Sequence, residues 1–313
     1  DSLTDLDVFM EAFEKQLKYF IELMLDGYNI VGSLHATRLP AIFASTTVDD
    51  CIANGKSLQE GGAKYNFSAA FITALANTVD AIAAIETIVF KEKKLTLKEL
   101  DRVLKNNFEG EDERIRQLLL NRAPKYGNDD DFVDGLGRKI LAMYNHELEN
   151  YRDSRGGKYI LTVLSTSFNV LQGKCTGATP DGRKALEPTS DNASPYAGRD
   201  INGPTSVIKS VSKLDQMNCL AGALLNLKFD SNIVKGEKGL DILGDVVESY
   251  FDIMGEHIQF NVASAETLIA AQKNPEEYAN LMVRVAGYSA YFIELDKDVQ
   301  DNIINRTAHT ACN

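Results

Sequence analysis

The chain has 313 residues, 44% of them hydrophobic, enough for a sizeable core and for one large α/β domain or a portion of one. Asp and Glu number 45 against 33 Lys and Arg, a net charge of −12, and the pI of about 4.9 argues against nucleic acid or an anionic membrane as partner. No apolar run approaches the ~20 residues that span a bilayer, no charged-then-apolar leader opens the chain, and Cys51, Cys175, Cys219 and Cys312 form no C-x-x-C pair, so neither a disulfide framework nor a zinc site is expected and a reducing cytoplasm fits.

The chain starts at Asp1 without Met, already inside a helical pattern, which points to a processed or truncated product. Thr4, with Asp7 three residues on, is the expected N-cap of a core-facing helix with the stripe Phe9, Phe13, Leu17, Phe20 and Met24. A loop-rich segment with Pro40, Gly55, Gly61 and Gly62 occupies 35–66, and His35 reads as structural or exposed. Phe71, Leu75, Val79, Ile82, Ile85 and Val89 predict a long buried helix. Thr96-Leu97-Lys98-Glu99 is a capping box that opens the next one. The acidic runs 109–116 and 129–131 lack a metal-ligand spacing and read as solvated helix N-termini, where Asp complements the dipole. The helix after the second run ends near Tyr151 and carries His146.

Residues 159–170 are rich in Ile, Val, Leu, Thr, Ser and Phe and read as a buried strand. Residues 173–204 form an aperiodic stretch of the kind that is functional or packed under something large. A strand is expected over 223–229 and an amphipathic helix over 239–254, on Leu240, Leu243, Val247, Tyr250 and Phe251, with Gly255 as its stop. Residues 257–262 alternate at period two, which puts His257, Gln259 and Asn261 on one face; that face lines a polar cavity or meets solvent. Helices open at Ser264 and at Asn274-Pro275. Residues 280–292 predict two strands around a short turn holding one glycine, Gly287, a residue that tolerates φ > 0. The last helix runs from about Asp296 to Arg306, with Val299, Ile303 and Ile304 inward. Residues 1–155 are thus mainly helical, and residues 156–313 alternate strand and helix.

No repeat of 20–50 residues, Walker loop, dinucleotide fingerprint, nucleophile elbow or H-E-x-x-H is present. Two other stretches are specific. The first is Gly177-Ala178-Thr179-Pro180-Asp181-Gly182-Arg183-Lys184-Ala185, continuing through Ser194-Pro195, Gly198-Arg199-Asp200 and Gly203-Pro204-Thr205 to Ser210-Val211-Ser212-Lys213-Leu214. The second is Arg284-Val285-Ala286-Gly287-Tyr288-Ser289-Ala290, closing at Arg306-Thr307. They resemble the C-terminal region of glycyl radical enzymes, the dehydratase/lyase branch more than formate acetyltransferase. Residues 61–66, 107–110, 124–129 and 257–262 extend the resemblance along nearly the whole chain.

The resemblance implies an α/β fold: the C-terminal half of a ten-stranded barrel surrounded by helices. It implies that 1–313 is a single unit, with a glycyl radical domain near 190–313. A radical would be stored on Gly287, in a loop made of Arg284, Val285, Ala286, Tyr288 and Ser289. An activating enzyme using S-adenosylmethionine and an iron–sulfur cluster would install it after translation; no bound cofactor and no metal are expected in this chain. A Cα radical is flat and delocalised into both flanking amides, so a side chain would crowd it, and the turn is expected to be sheltered from solvent and oxygen. In the family a cysteine on a second loop, Gly-Cys-Val-Glu-like, gives its hydrogen atom to the glycyl radical, and the thiyl attacks substrate. None of the cysteines here has that context, so Cys51 reads as structural, Cys175 and Cys219 as packing or loop residues and Cys312 as a tail residue.

The implied function is radical C–O, C–N or C–C cleavage of a small metabolite, most simply as a dehydratase or lyase, with this chain as a fragment or subunit. The alternatives are a non-catalytic or split-enzyme subunit that docks on a chain carrying the cysteine loop, and formate acetyltransferase-type or decarboxylase chemistry. Arg306 holds the glycine loop through backbone carbonyls, binds a substrate oxygen, or lies on the surface. Gln259 and Asn261 are candidate supports. Ser231-Asn232 stand where relatives often carry Pro-Ser, and Thr307-Ala308-His309 departs from Thr-Glu-His. A half barrel leaves strand edges open, so a homodimer, or the missing N-terminal half or a partner chain with the cysteine loop, is expected beside the activating enzyme.

Overall fold

A computed structural model describes residues 2–306 and 308–309, so Thr307 and Cys312 lie outside the described residues. The chain divides into two compact units that interleave in sequence. One holds Asp1–Phe71, Ile140–Thr162 and Asn218–Ala221; the other holds Ile72–Lys139, Val163–Met217 and Gly222–Asn313. Neither follows the expected change of character at 155/156.

The first unit is built on the helix Leu6–Arg38. Asp5, not Thr4, caps it: the Asp5 carboxylate accepts from the Val8 N–H at 3.0 Å, and the Thr4 hydroxyl donates to that carboxylate. Three more residues after His35 stay helical, and His35 itself is exposed. The buried positions are Met10, Ile21 and Leu25, while Phe20 is 59% exposed. This helix is apolar on more than one side, and periodicity alone does not choose which side meets the core. Phe71 belongs to strand β1 (Phe67–Ile72), not to the following helix, because Ala74 takes a left-handed φ of 58° and starts the helix at Leu75. Strand β2 (Lys158–Val163) is shorter than expected; Thr166, at φ 53°, breaks the chain, and 168–170 begin the helix Phe168–Lys174.

In the second unit the helix Leu75–Ala84 runs on as a π-helix, Ile85–Lys91, and both are largely buried. The Thr96–Glu99 capping box is formed, with bonds of 3.2 and 2.8 Å. Asp130 accepts from the N–H groups of Phe132 and Val133 at the start of the helix Asp131–Leu148. In the other acidic run Asp112 departs from a solvated reading: it is buried, and Arg102 grips both its oxygens at 2.8 and 3.0 Å.

The irregular stretch between Lys174 and Pro204 is an internal polar scaffold. Without a ladder its peptide groups need other partners. The fully buried Arg183 donates to the carbonyls of Lys184 (2.9 Å) and Glu187 (2.7 Å). The Arg199 guanidinium bridges the buried carboxylates of Asp80, at 3.1 Å, and Asp181, which also accepts from Asn77. Lys125 completes this charge cluster and donates to the carbonyls of Leu119 and Ala123.

Helix Pro204–Ser212 leads to strand β3 (Leu224–Phe229). Helix Gly236–Asp252 turns Val246 and Tyr250 inward and leaves Leu240 65% exposed, a rotation of the expected stripe. Gly255 is needed after it, because a Cβ there would stand 2.4 Å from the Tyr250 ring. Strand β4 (His257–Asn261) pairs parallel with β3. Strands β5 (Met282–Arg284) and β6 (Ser289–Tyr291) form the expected hairpin. After the helix Lys297–Asn305, strand β7 (Ala308–His309) pairs parallel with β3, giving the order β4-β3-β7.

Removing the central cation of a buried ion cluster leaves its carboxylates uncompensated. Arg199→Met should therefore lower stability by about 3–5 kcal/mol in denaturant unfolding. Lys125 gives a pH test. Burial pulls its ammonium from 10.5 down to about 8. Between those values the unfolded chain binds more protons than the folded one, so stability should rise with pH, and Lys125→Met should flatten that rise.

Candidate active site

The parallel register sets Asn226 beside Gln259 and Lys228 beside Asn261. Strand alternation puts these four on one face of the sheet and Leu225, Leu227 and Phe229 on the other. All four polar side chains are buried, whereas His257 at the start of β4 is exposed. Of the two readings of this face, a buried polar surface describes Gln259 and Asn261, and solvent describes His257.

Buried amides require partners. Asn261 finds both in one residue of the hairpin: its Nδ2 donates to the Arg284 carbonyl at 2.6 Å and its Oδ1 accepts from the Arg284 N–H at 2.8 Å. Gln259 Oε1 accepts from Arg284 Nε at 2.6 Å and from the Gly287 N–H at 3.3 Å. Its Nε2 donates to Asn226 Oδ1, and Asn226 Nδ2 donates in turn to Asp191 Oδ2 at 2.6 Å. The same Asp191 oxygen lies 3.0 Å from the Arg306 guanidinium. Arg306 closes the circuit by donating to the carbonyls of Val285 (2.8 Å) and Arg284 (3.3 Å).

The hairpin pairs Met282 with Tyr291, Val283 with Ala290 and Arg284 with Ser289, and the Val285 N–H donates to the Tyr288 carbonyl at 2.9 Å. Gly287 sits in the turn at φ +76°, a conformation that strains any L side chain. Below, Val283 and Val285 enter an apolar cluster with Leu268, Ala271, Phe292 and Ile303. Ala286 is buried too, but Gly287, Tyr288 and Ser289 are exposed. The expectation of a sheltered turn is thus not met by the described residues. The apolar strands bury the base of the hairpin, and its tip rises clear of the cluster. Nor does crowding within this chain demand the glycine, since a Cβ at Gly287 would meet nothing within 4 Å. Backbone conformation demands it.

Arg306 also lines a cavity of about 500 Å³, together with Asp191, Asn226, Lys228, Asp200 and His309. Lys228 donates to the Ile304 carbonyl at 3.0 Å, and burial, with Arg306 nearby, pushes its pKa down. His309 Nε2 stands 3.3 Å from the Asp200 carboxylate. Ser231 and Asn232 form an exposed turn after β3. Cys51 and Cys219 are buried in the first unit, and Cys175 is exposed in the second. Sequence reading missed Asp191, Asn226 and Lys228. The last two carried a signal, as the polar members of a strand otherwise apolar from 224 to 229; Asp191 lies in an aperiodic stretch and carried none.

The family model described as Pyruvate formate lyase-like matches residues 1–173, and the one described as Glycine radical matches residues 189–293. The chain belongs to the glycyl radical enzyme family. It is 43% identical over 300 residues to the trans-4-hydroxy-L-proline dehydratase of Clostridioides difficile, covering 96% of this chain and 38% of that protein. It is 36% identical over 305 residues to the isethionate sulfite-lyase of Nitratidesulfovibrio vulgaris, covering 96% and 37%. The solved glycerol-bound form of the B12-independent glycerol dehydratase from Clostridium butyricum superposes with a TM-score of 0.94 at 47% identity, over 98% of this chain and 39% of that one. The chain therefore spans about two fifths of the length of these relatives and has the fold of that portion. Among the described residues no helix is long and apolar enough to cross a membrane.

Asn261→Leu keeps the side-chain volume but leaves the amide and carbonyl of Arg284 without this partner. Stability should fall by about 1–3 kcal/mol, read by denaturant unfolding.

Proposed function

We propose that Gly287 carries a protein-based radical and that this chain is the radical-storing portion of a dehydratase or lyase acting on a small metabolite. The observation that carries the reading is the position of Gly287. It lies within the Glycine radical match, at the tip of a positive-φ turn whose flanking peptide groups are gripped by Gln259, Asn261 and Arg306. A Cα radical is stabilised by delocalisation into its neighbouring amides, and the amide on the N-terminal side of Gly287 is held by Gln259 while Asn261 and Arg306 hold the peptide groups just before it. The exposed tip suits access by an activating enzyme, which uses S-adenosylmethionine and an iron–sulfur cluster.

Gly287 loses a Cα hydrogen atom on activation. In turnover it takes one from a cysteine thiol, leaving a thiyl that abstracts hydrogen from substrate. The cysteine is supplied by polypeptide outside these 313 residues, in the same chain or in a partner, because Cys51, Cys175, Cys219 and Cys312 all lack the family's sequence context. Arg306 stands between the turn and the cavity, which gives the substrate a polar site near the radical. C–O cleavage by elimination of water ranks first, as the reaction named for the hydroxyproline and glycerol dehydratases. C–N and C–C cleavage remain with it in the same class, and decarboxylation or formate acetyltransferase-type chemistry ranks below. On this reading the protein works in the reducing cytoplasm, as a homodimer, with 190–313 acting as the glycyl radical domain.

Anaerobic activation should yield an organic radical by electron paramagnetic resonance, absent in Gly287→Ala. Oxygen should then cut the wild-type chain at Gly287 and leave the variant intact. A radical of equal yield in the variant would overturn the assignment.

A further inference from the structure

We propose that Asp191 is a positioning residue for the Gly287 turn, acting through Asn226 and Gln259 on one side and through Arg306 on the other. The functional meaning rests on the reading of Gly287 as the radical site; the positioning itself rests on geometry alone.

Hydrogen-bond direction fixes the relay. An ionised carboxylate only accepts hydrogen bonds, whereas a carboxamide has a donating end and an accepting end. Asp191 accepts from Asn226 Nδ2, which points Asn226 Oδ1 the other way. That oxygen accepts from Gln259 Nε2, which points Gln259 Oε1 at the hairpin. The acceptor so presented takes the Gly287 N–H and Arg284 Nε, both of which only donate. The orientation of two buried amides is thus fixed from both ends of the relay. If Asp191 is removed, the relay loses one of its two anchors, and the Gln259 acceptor is held only by the hairpin donors that it serves to position.

The second arm starts from the same oxygen. Asp191 Oδ2 pairs with the Arg306 guanidinium, which holds the Val285 and Arg284 carbonyls. The two arms meet the hairpin at the amide of Gly287 and at the carbonyls preceding it. No side chain lies where a Gly287 Cβ would stand, so beyond the packing of the buried Val285 and Ala286 it is polar bonds that reach the Gly287 amide, and two of their arms converge on Asp191.

The test is hydrogen–deuterium exchange on the natural full-length protein before activation, following a peptide over 282–291 against one from helix Pro204–Ser212. Asp191→Ala should speed exchange at 282–291 by tenfold or more and leave the helix peptide at its wild-type rate. Asn226→Leu breaks one arm and should give a smaller local increase. Gln259→Glu supplies a rescue, because a carboxylate presents acceptors to Gly287 and Arg284 in either orientation. Asn226→Leu/Gln259→Glu should exchange more slowly at 282–291 than Asn226→Leu alone. Unchanged exchange at 282–291 in folded Asp191→Ala, equal loss of protection in both peptides, or failure of the rescue would each overturn the proposal. If Asp191→Ala does not fold, Asn226→Leu and its rescue decide by the same criteria. Absence of a radical in activated wild-type protein would overturn the reading of Gly287 and leave the exchange result standing.

Discussion

The organisation of the second unit depends on one constraint: the inner face of β3 and β4 is polar and buried, and a buried amide without a partner costs about 1–3 kcal/mol. Asn226, Gln259 and Asn261 meet it by reaching into the hairpin and towards Asp191. An apolar face in their place would bury more hydrocarbon but would locate a turn only by shape. Hydrogen bonds locate it by direction as well, and here they fix the amide of Gly287 and individual peptide groups before it. The apolar work is done lower down, where Val283 and Val285 anchor the hairpin in the cluster with Phe292 and Ile303. Base and tip are thus held by different forces.

That division explains which features were legible in the sequence. Local signals with a short mechanism were read directly: the Thr96–Glu99 capping box, the Ser264 N-cap, the hairpin about Gly287 and the period-two polarity of 257–261. Signals that depend on which side of an element meets the core were misread. Phe20 and Leu240 sit on stripes with correct helical spacing, yet both face outward, because each helix carries more than one apolar stripe. Boundaries failed where a single non-glycine residue takes a left-handed φ, at Ala74 and Thr166, since nothing in their side chains announces it. Asp191 was out of reach for a different reason. Its role exists only once β3, β4 and the hairpin are assembled.

The aperiodic stretch from 175 to 203 shows the same logic at larger scale. A long segment without a ladder survives inside a fold only if its own side chains satisfy its backbone. Arg183 does this for several carbonyls, and Arg199 with Asp80 and Asp181 fixes where the segment lies. Asp191 is held within that segment, so the carboxylate on which the hairpin relay converges is placed by a buried ion cluster rather than by regular secondary structure.

The exposed tip of the hairpin belongs with a second observation. The helix Leu6–Arg38 leaves Tyr19, Phe20, Leu23, Ile30, Val31 and Leu34 open, and Ile42, Phe43 and Ile52 beyond it are open too. Soluble chains rarely keep so many large apolar side chains in water without a partner surface. The relatives that match nearly the whole of this chain are more than twice as long, since it spans 38–39% of the dehydratases compared here. Each unit therefore keeps a surface of its own open among the described residues: large apolar side chains along the helix Leu6–Arg38 in the first, and the Gly287 turn in the second.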